Sequence, residues 1–347
     1  MCYNDSVTVS LIITVKDEAA ALPRLLDSIA AQTRAPDEIV VVDGGSTDGT
    51  LEVLRAYAAR LPLLPLKILS RPGANISQGR NAAIRAATGD VICSTDAGVR
   101  LEPVWVEELV LPLEDRGPKT EDGRQSSVVR HPSSVVDVVA GFFVPDPRSV
   151  FETALAAATL PVLAEIRSAR FLPSSRSVAF RKSAWEKAGG YPEWLDFCED
   201  LVFDFALRDA GCRFGFAPRA VAHFRPRENL RAFFKQYYQY ARGDGKANLW
   251  FLRHVIRYAT YLVALPLPLA LLFKMPLWGF GILLLGFLGL FFTPYKRLLP
   301  LLREFSWCDR LRAIAWVPII RVAGDVAKMI GYPVGVAWRL RNKREAR

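Results

Sequence analysis

The stretch Asp90–Gly98, which reads DVICSTDAG, organises the first half of this chain. A turn at Gly89 opens it, an apolar run follows, and Asp96 stands at its carboxyl end. Short apolar runs bounded by turn residues are typical of buried strands. In open α/β sheets, ligands bind in the crevice outside the carboxyl ends of the strands. Because an aspartate there is often only a turn former, the interpretation of Asp96 as a site residue depends on its neighbours.

Three other apolar runs of strand length accompany this stretch, at residues 7–15, 38–43 and 66–69. They alternate with segments of helical periodicity, and this alternation predicts a doubly wound α/β domain. The runs are nearly continuously apolar, which is typical of parallel strands buried on both faces. Glu18 and Asp43 follow the first two strands as Asp96 follows the last. We therefore expect three carboxylates at one edge of the sheet.

Composition narrows the class of protein. Of the 347 residues, 51% are apolar and 23% are charged, so the chain can bury a sizeable core. The 45 Lys and Arg against 35 Asp and Glu give a net charge of +10, which favours an anionic partner.

The sequence has neither a zinc-like cysteine spacing nor an aromatic-basic RNA motif, so we expect no nucleic acid as a partner. Five scattered cysteines predict reduced thiols. Since Asp5 and Lys16 interrupt any signal pattern, we expect the front of the chain in the cytosol.

The glycine-rich segment 44–50 follows the second strand. Its glycine spacing matches neither a Walker loop nor a dinucleotide fingerprint, and it lacks the Walker lysine. Taken alone, it is a strand-to-helix turn. Carboxylates beside such a turn can accept hydrogen bonds from a base or ribose, or bind a hard divalent cation.

Several ordered motifs carry a resemblance to a known family. They read SLIITVKDE at 10–18, IVVVDGGSTDGT at 39–50 and GRN at 79–81. Together they resemble family 2 glycosyltransferases with a GT-A fold, and the resemblance continues to about residue 245. It implies a nucleotide-sugar donor, usually with a uracil base. It also implies a set of donor-binding residues: Thr14, Val15, Glu18, Asp43 on the base, Arg80 and Asp96.

The chain departs from the family pattern at its metal motif. Asp96 would begin the metal-binding Asp-x-Asp motif, but Gly98 replaces the second acid. Divalent cations such as Mn²⁺ and Mg²⁺ need several oxygen ligands, so losing a carboxylate weakens such a site. The donor diphosphate and waters could supply most of the ligands. We therefore still expect a divalent cation, with Asp96 as one ligand.

A second signature lies at 189–201, where Gly-Gly-Tyr-Pro precedes Cys198-Glu199-Asp200-Leu201. Acids that open a helix are commonly favoured by the helix dipole alone. The resemblance, however, implies that Asp200 is the catalytic base, with Glu199 as its partner or as a contact to the sugar. An inverting transfer needs one carboxylate to accept the acceptor hydroxyl's proton while the nucleotide diphosphate leaves from the opposite face.

Two further residues are candidates on weaker grounds. His223 lies in a short predicted strand, where a histidine is commonly only a packed side chain. Because several GT-A enzymes place a metal-binding histidine at a similar point, His223 is the best candidate for a second metal ligand. Arg242 lies in an aromatic and basic segment, 233–245, which reads either as an interfacial helix or as a diphosphate clamp. The segment lacks the Arg-Trp of processive synthases, which favours single addition.

Three segments complete the predicted catalytic domain. Residues 114–136 are polar and rich in turn formers, and we expect a mobile surface loop. A strand is predicted over 135–143. An Ala- and Leu-rich helix is predicted over 151–166, either buried or at a membrane surface.

The C-terminal part is apolar. Residues 258–273 and 275–293 are uncharged, and the second run is long enough to span a bilayer. The first is marginal and contains two prolines, so a re-entrant hairpin is an alternative. Cations flank the pair on both outer sides, which by the positive-inside rule places both ends in the cytosol.

Farther on, Arg321, Asp325 and Lys328 fall on one helical face within an apolar stretch, 314–338. An amphipathic helix in the membrane interface is the first interpretation, and a third span with a buried polar stripe is the second. The basic tail at 339–344 suits anionic headgroups.

These observations predict a GT-A domain over 1–245, with a nucleotide-binding half at 1–100 and an acceptor half at 101–245. A region of membrane helices follows over 246–347. We expect an inverting glycosyltransferase at the inner membrane, facing the cytosol, that moves a sugar from a UDP-sugar to a lipid-linked or membrane-adjacent acceptor. The alternatives are a processive polysaccharide synthase and an inactive nucleotide-sugar-binding membrane protein.

Overall fold

The computed structural model describes residues 7–60, 65–114, 136–168 and 171–342. Contacts divide the chain into two compact units. The first comprises Met1–Val144 and Leu163–Phe224, and the second Pro145–Val162 and Arg225–Arg347. The predicted domain boundary at residue 245 stays a prediction.

The described residues of the first unit form one mixed eight-stranded sheet. Its strands are β1 Val9–Val15, β2 Glu38–Asp43, β3 Leu66–Ser70, β4 Val91–Asp96, β5 Val99–Leu101, β6 Val138–Pro145, β7 Val178–Arg181 and β8 Phe214–Phe224. Their spatial order is β3-β2-β1-β4-β7-β6-β8-β5. The first four run parallel, β7 lies antiparallel to both β4 and β6, and β5 lies antiparallel to β8.

Helices flank this sheet and build the second unit. In chain order they are α1 Leu22–Ala30, α2 Thr50–Arg60, α3 Ile76–Ala86, α4 Trp105–Val110, α5 Val150–Thr159, α6 Lys182–Ala188, α7 Glu199–Asp209, α8 Leu230–Lys246, α9 Phe251–Ala259, α10 Pro266–Lys274, α11 Pro276–Leu298 and α12 Trp307–Arg341. The predicted alternation of parallel strands and helices over the first 96 residues is confirmed.

The core lies on both faces of β1, as its apolar run predicts. Leu11 and Ile13 pack in one buried cluster with residues of α1, whereas Ile12 packs in another with residues of α3. The register pairs Val15 with Asp43 of β2 and Thr14 with Asp96 of β4. Three parallel strands therefore end together, and this edge carries the candidate site.

The structure corrects several predicted boundaries. The helix predicted over 151–166 ends at Thr159, because Leu160 is extended ahead of Pro161, as residues before proline usually are. A separate single 3₁₀ turn follows at Leu163–Glu165. The strand predicted over 135–143 is Val138–Pro145. The predicted mobile loop at 114–136 lies almost entirely outside the described residues.

In the second unit, α12 packs along α8, and glycines set the close approach. A Cβ at Gly331 would collide with the carbonyl oxygen of Tyr238, and one at Gly335 with that of Arg242. At Gly245 of α8, an added Cβ would collide with the carbonyl oxygen of Tyr332. Backbone approach of this kind is typical of helices that pack through small residues.

Two helical segments of the second unit are long and apolar enough to cross a membrane. They are Phe251–Lys274 and Pro276–Glu304. In the most apolar 18-residue stretch of each segment, only 6% and 11%, respectively, is buried. The first runs through a π-helical turn at Thr260–Ala264 before Pro266. Whether the two segments are two spans or a re-entrant hairpin stays a prediction. Within the described residues, α12 does not meet the same criteria.

The polar face predicted on α12 is present and points inward. The carboxylate of Asp325 is 2.7 Å from Nε of Arg257, accepts a 3.1 Å hydrogen bond from Tyr261 and pairs with Arg321. The Lys328 ammonium lies 4.6 Å from the centroid of the Tyr237 ring. Asp325 is therefore buried among the unit's own helices, whereas the Arg321 side chain stays 40% exposed. Whether α12 spans a bilayer or lies on it stays a prediction.

Candidate active site

The turn after β2 is built around Asp43, which is 1% exposed. Its carboxylate accepts hydrogen bonds from the backbone N–H groups of Gly45 and Ser46 and from the Ser46 hydroxyl at 2.5 Å. A carboxylate has about four lone-pair sites, so these bonds leave little capacity for a ligand. The structure thus gives Asp43 a local role in shaping the turn, and its predicted contact to a base stays a prediction.

The loop after β1 is hydrogen-bonded to this turn. Asp17 has a φ of +55°, which non-glycine residues rarely adopt, and its carboxylate accepts a 2.8 Å bond from the N–H of Thr47. In return, Ser46 accepts from the N–H of Asp17, and Thr50 accepts from the N–H of Glu18. Glu18 is thereby fixed at the same sheet edge as Asp43. Its side-chain role stays a prediction.

Arg80 connects the two halves of the predicted site. It lies on α3 and is buried, with Nη1 2.6 Å from Oε1 of Glu199 and Nη2 3.1 Å from Oδ1 of Asp96. Burial disfavours the charged form, but the two carboxylates outweigh it and raise the pKa of Arg80. The guanidinium therefore remains charged and holds an acid of β4 beside an acid of α7.

This helix approaches β1 closely. A Cβ at Gly79 would lie 2.9 Å from Cγ2 of Thr14, a separation that real Cβ atoms essentially never show. Glycine at this position therefore lets α3 bring Arg80 to the strand ends. In the GRN motif, Gly79 therefore allows close packing of α3 on β1, and Arg80 pairs with the two carboxylates.

The neighbouring Asn81 fixes the Gly-Gly-Tyr-Pro segment. Its amide donates to the carbonyl oxygen of Tyr191 at 2.8 Å, and its oxygen accepts from the N–H of Tyr191 at 2.9 Å. Gly190 has a φ of +81°, and a Cβ added there would lie 3.0 Å from Oδ1 of Asn81. The Tyr191 ring lies 5.3 Å from the Arg80 guanidinium. These contacts explain why the two motifs occur in one chain.

Glu199 and Asp200 open α7, as predicted. The preceding residue, Cys198, has a φ of +65°, and strained backbone of this kind clusters at functional sites. Burial raises the pKa of both carboxyls against the opposing effect of the Arg80 charge. A carboxyl whose pKa lies above its usual range is better matched to proton transfer near neutrality.

Arg176 is a site residue that the sequence analysis did not identify. It lies in a tight turn in which the N–H of Ser177 donates to the carbonyl oxygen of Ser174 at 2.9 Å. The Arg176 carbonyl accepts a 2.9 Å bond from the Thr95 hydroxyl, and Nε of Arg176 is 3.7 Å from Oδ2 of Asp96. No motif pointed to Arg176, because the turn meets β4 only in the folded sheet.

The described residues offer limited support for a protein-built metal site. Asp96 already pairs with Arg80 and lies 3.7 Å from Nε of Arg176. Gly98 contributes no ligand, and His223 lies 2.6 Å from Glu102. Nowhere in the described chain do three or more His, Cys, Asp or Glu side chains gather as a metal site. A cation would therefore find one carboxylate here and would take most of its oxygen ligands from a bound donor. The metal role of His223 stays a prediction.

Arg242 lies on α8 in the second unit, where Gly335 packs against its backbone. The six other predicted donor-binding residues and the two predicted catalytic acids all lie in the first unit. The donor contact of Arg242 stays a prediction.

A mixed sheet of this order, with acids at its parallel strand ends and an acid pair opening a helix, agrees with the GT-A fold predicted from the sequence. The model of Glycosyl transferase family 2 matches residues 10–127, and that of Glycosyl transferase family group 2 matches residues 133–308, about half of the chain. The chain belongs to glycosyltransferase family 2 and is a glycosyltransferase enzyme. The predictions of family, fold and enzyme class are confirmed.

Individual proteins agree with this assignment. The chain is 24% identical to Glycosyltransferase AglE of Haloferax volcanii over 273 residues, which cover 77% of this chain and 82% of the relative. It is 28% identical to Succinoglycan biosynthesis protein ExoA of Rhizobium meliloti over 254 residues, 70% of each. Mannosyltransferase PcManGT from Pyrobaculum calidifontis, solved with GDP-Man and Mn²⁺, has a similar fold at a TM-score of 0.51 and 20% identity, over 98% of this chain and 89% of that one.

Proposed function

We propose that this enzyme is an inverting glycosyltransferase that moves a sugar from a nucleotide-sugar donor to a lipid-linked or membrane-adjacent acceptor. The observation that carries the proposal is the ion-pair chain from Asp96 through Arg80 to Glu199. It joins the strand end where a donor would bind to the helix start where Asp200 would act as base.

In the proposed reaction, Asp200 accepts the proton of the acceptor hydroxyl. The hydroxyl oxygen forms a bond to the anomeric carbon as the bond from that carbon to the diphosphate oxygen breaks. The electron pair of the broken bond leaves with the nucleoside diphosphate. Arg80 and Glu199 position the base, and burial raises its pKa so that the proton transfer is matched to neutral pH.

We expect UDP as the nucleotide on the strength of the family resemblance. The structural relative PcManGT was solved with GDP-Man and Mn²⁺, so GDP-sugars belong in any test. Asp96 is the residue that would hold a divalent cation, Mn²⁺ or Mg²⁺, which when bound would offset the charge of the diphosphate. Thr14, Val15, Glu18, Asp43 and Arg80 are the other proposed donor-binding residues of the first unit, and Arg242 is the one proposed in the second.

The proposed membrane location rests on the two exposed apolar helical segments, Phe251–Lys274 and Pro276–Glu304. Lys296 and Arg297 follow the apolar part of the second, and Arg253 and Arg257 lie in the first turns of the other. By the positive-inside rule, this distribution supports the proposal that both outer ends lie in the cytosol. A catalytic unit tethered at a bilayer meets lipid-linked acceptors at raised local concentration. Together with the ExoA relative, this favours surface glycan assembly.

The test is nucleotide release from a panel of UDP- and GDP-sugars by the full chain in detergent, with membrane lipid extract as the acceptor source. Each reaction is run with Mn²⁺ and with EDTA. Lipid-dependent release of one nucleotide is the expected result. A chain that binds UDP or GDP but releases neither from any donor, with any lipid fraction, would contradict transfer and favour the binding-only alternative.

A further inference from the structure

Any donor diphosphate at the strand ends would meet a surplus of negative charge. Asp43, Asp96, Glu199 and Asp200 all lie at or beside this edge, and an anion binds there only if fixed positive charge offsets them. The charge of Arg80 is already offset, because its side chain is 3% exposed and pairs with two carboxylates. The Asp-x-Asp pattern cannot recruit a cation through a second acid, because Gly98 stands in its place.

Arg176 has the properties that this position requires. Its side chain is 26% exposed, and its contact with Asp96, at 3.7 Å, is longer than a hydrogen bond. Its guanidinium lies 4.5 Å from the centroid of the Phe224 ring, within the range of a cation–π interaction. The guanidinium fork matches phosphate oxygens in pairs, which a lysine cannot do.

The backbone that carries Arg176 is rigidly placed. Its turn is anchored to β4 through Thr95, the neighbour of Asp96. Ser177, the next residue, is buried, donates 2.8 Å to the carbonyl oxygen of Ala220 and accepts from the indole of Trp105 at 2.8 Å. A site residue on such a support loses little conformational entropy when it binds a ligand.

We propose that Arg176 binds the diphosphate of the nucleotide-sugar donor and supplies the fixed positive charge at the place where Gly98 leaves the metal motif incomplete. This inference rests on the proposed function. Arg176 is then an additional donor-binding residue, and its charge explains why the chain tolerates the loss of the second acid. It also predicts that a carboxylate at position 98 and a cation can substitute for Arg176.

The first test compares Arg176→Gln with the wild-type full chain in detergent and EDTA. Titration calorimetry measures UDP and GDP, and ligand-observed NMR measures uridine and guanosine. Loss of a charge-assisted bond predicts about 10- to 100-fold weaker binding of the preferred diphosphate, with unchanged binding of its nucleoside. Arg60→Gln is the matched control, because Arg60 is an exposed arginine of the same unit that pairs with Asp27 on α2 and α1.

Unchanged diphosphate affinity in Arg176→Gln would overturn the inference and leave the proposed function standing. Equal loss for diphosphate and nucleoside would also overturn it, because the defect would then be general. Wild-type protein that binds neither diphosphate, in EDTA or in Mn²⁺, would overturn the proposed function together with the inference, whereas wild-type binding in Mn²⁺ alone would overturn the inference only. If Arg176→Gln does not fold, Arg176→Lys keeps the charge without the fork and should show a smaller loss of the same diphosphate-specific kind.

The second test is compensation. A Cβ at Gly98 would meet nothing within 4 Å, so Gly98→Asp fits without strain and restores the second acid. In the double variant, Arg176→Gln with Gly98→Asp, diphosphate affinity should recover in Mn²⁺ and not in EDTA. Recovery in both conditions, or in neither, would overturn the link between Arg176 and Gly98.

Discussion

The two units of this enzyme differ in the large apolar side chains that they expose. In the first, Leu11, Ile13 and Trp105 are essentially inaccessible, and the polar groups of the site collect at one sheet edge. In the second, Phe273, Leu277 and Leu285 are 92%, 82% and 71% exposed, whereas Asp325 and His254 are 6% and 3% exposed.

The hydrophobic effect explains the first pattern and would oppose the second in water. Large exposed apolar surfaces in folded proteins mark contacts with a partner or a membrane. The second pattern is the one expected where the outer surface meets lipid and the polar groups pair inside. The comparison therefore supports the proposed membrane anchor. It also predicts different effects of substitution: loss of catalysis in the first unit, and loss of stability or membrane insertion in the second.

The largest expected effect is on catalysis in the first unit. Asp200→Asn should lower turnover by about 10²–10⁴-fold, because it removes the proposed general base. Nucleotide affinity should change little. The wild-type rate should rise with pH through a pKa above the usual aspartate range, since burial raises the pKa of Asp200. Nucleotide-release assays measure the turnover of the variant and the pH dependence of the wild-type rate. Asp209→Asn, at the exposed end of the same helix, should behave as wild type, and a fully active Asp200→Asn would remove Asp200 as the base.

The polar interior of the second unit is tested at Asp325. Asp325→Asn leaves the charge of Arg257 without its buried partner, and breaking such a pair costs about 3–5 kcal/mol. The expected result is a marked drop in the midpoint of SDS-induced unfolding. Asp309→Asn is the control, because its pair with Arg312 at the start of α12 is largely exposed. Equal midpoints for the two variants would show that the inward polar stripe contributes nothing.

The apolar exterior of the second unit is tested at Leu285. Leu285→Arg places a charge in the middle of the second apolar segment, where insertion into a bilayer becomes less favourable by about 2.5–3.5 kcal/mol. The fraction of protein that resists carbonate extraction from membranes should fall. Leu163→Arg, a half-exposed position of the first unit, should leave that fraction unchanged. If both variants extracted equally, the proposed anchor would be wrong.

Close helix packing in the second unit is tested with two glycines. Gly331→Ala forces a Cβ onto the Tyr238 carbonyl and should cost about 1–3 kcal/mol, as overpacking does. Gly286→Ala on α11 meets nothing within 4 Å and should gain up to about 1 kcal/mol of helix propensity. The same SDS unfolding assay reports both. A neutral Gly331→Ala would mean that α8 and α12 can separate without loss.

The smallest expected effect concerns Asp204, a buried acid one helical turn after Asp200. Burial raises its pKa well above the usual value, with the Asp200 charge adding to the shift. The native state therefore holds a proton that the unfolded state releases, and this contribution to stability falls as pH rises above the unfolded pKa. Asp204→Asn should flatten the decline of thermal stability as pH rises above about 4, the ordinary pKa of aspartate. An unchanged slope would assign the decline to other groups.

Much of the first unit could be predicted from the sequence because its signals are local. Continuous apolar runs marked β1, β2 and β4, and the acid pair marked the start of α7. The short strand β5 escaped notice, since three residues carry no periodicity and pair only with β8. Arg176 escaped for a related reason, because its proximity to Asp96 depends on β7 lying beside β4.

The sequence by itself determined the family, the parallel half of the sheet, the acids at its edge and the two long apolar segments. These features follow from patterns within a few residues, where burial and turn chemistry act directly. Only the tertiary structure decided that Arg80 bridges Asp96 and Glu199, that Asp43 is occupied by its own turn and that the polar face of α12 points inward. Those contacts join residues that are far apart in the sequence and meet only in the folded chain. The electrostatic effect of a charged group depends on these spatial neighbours, which a local sequence pattern does not reveal.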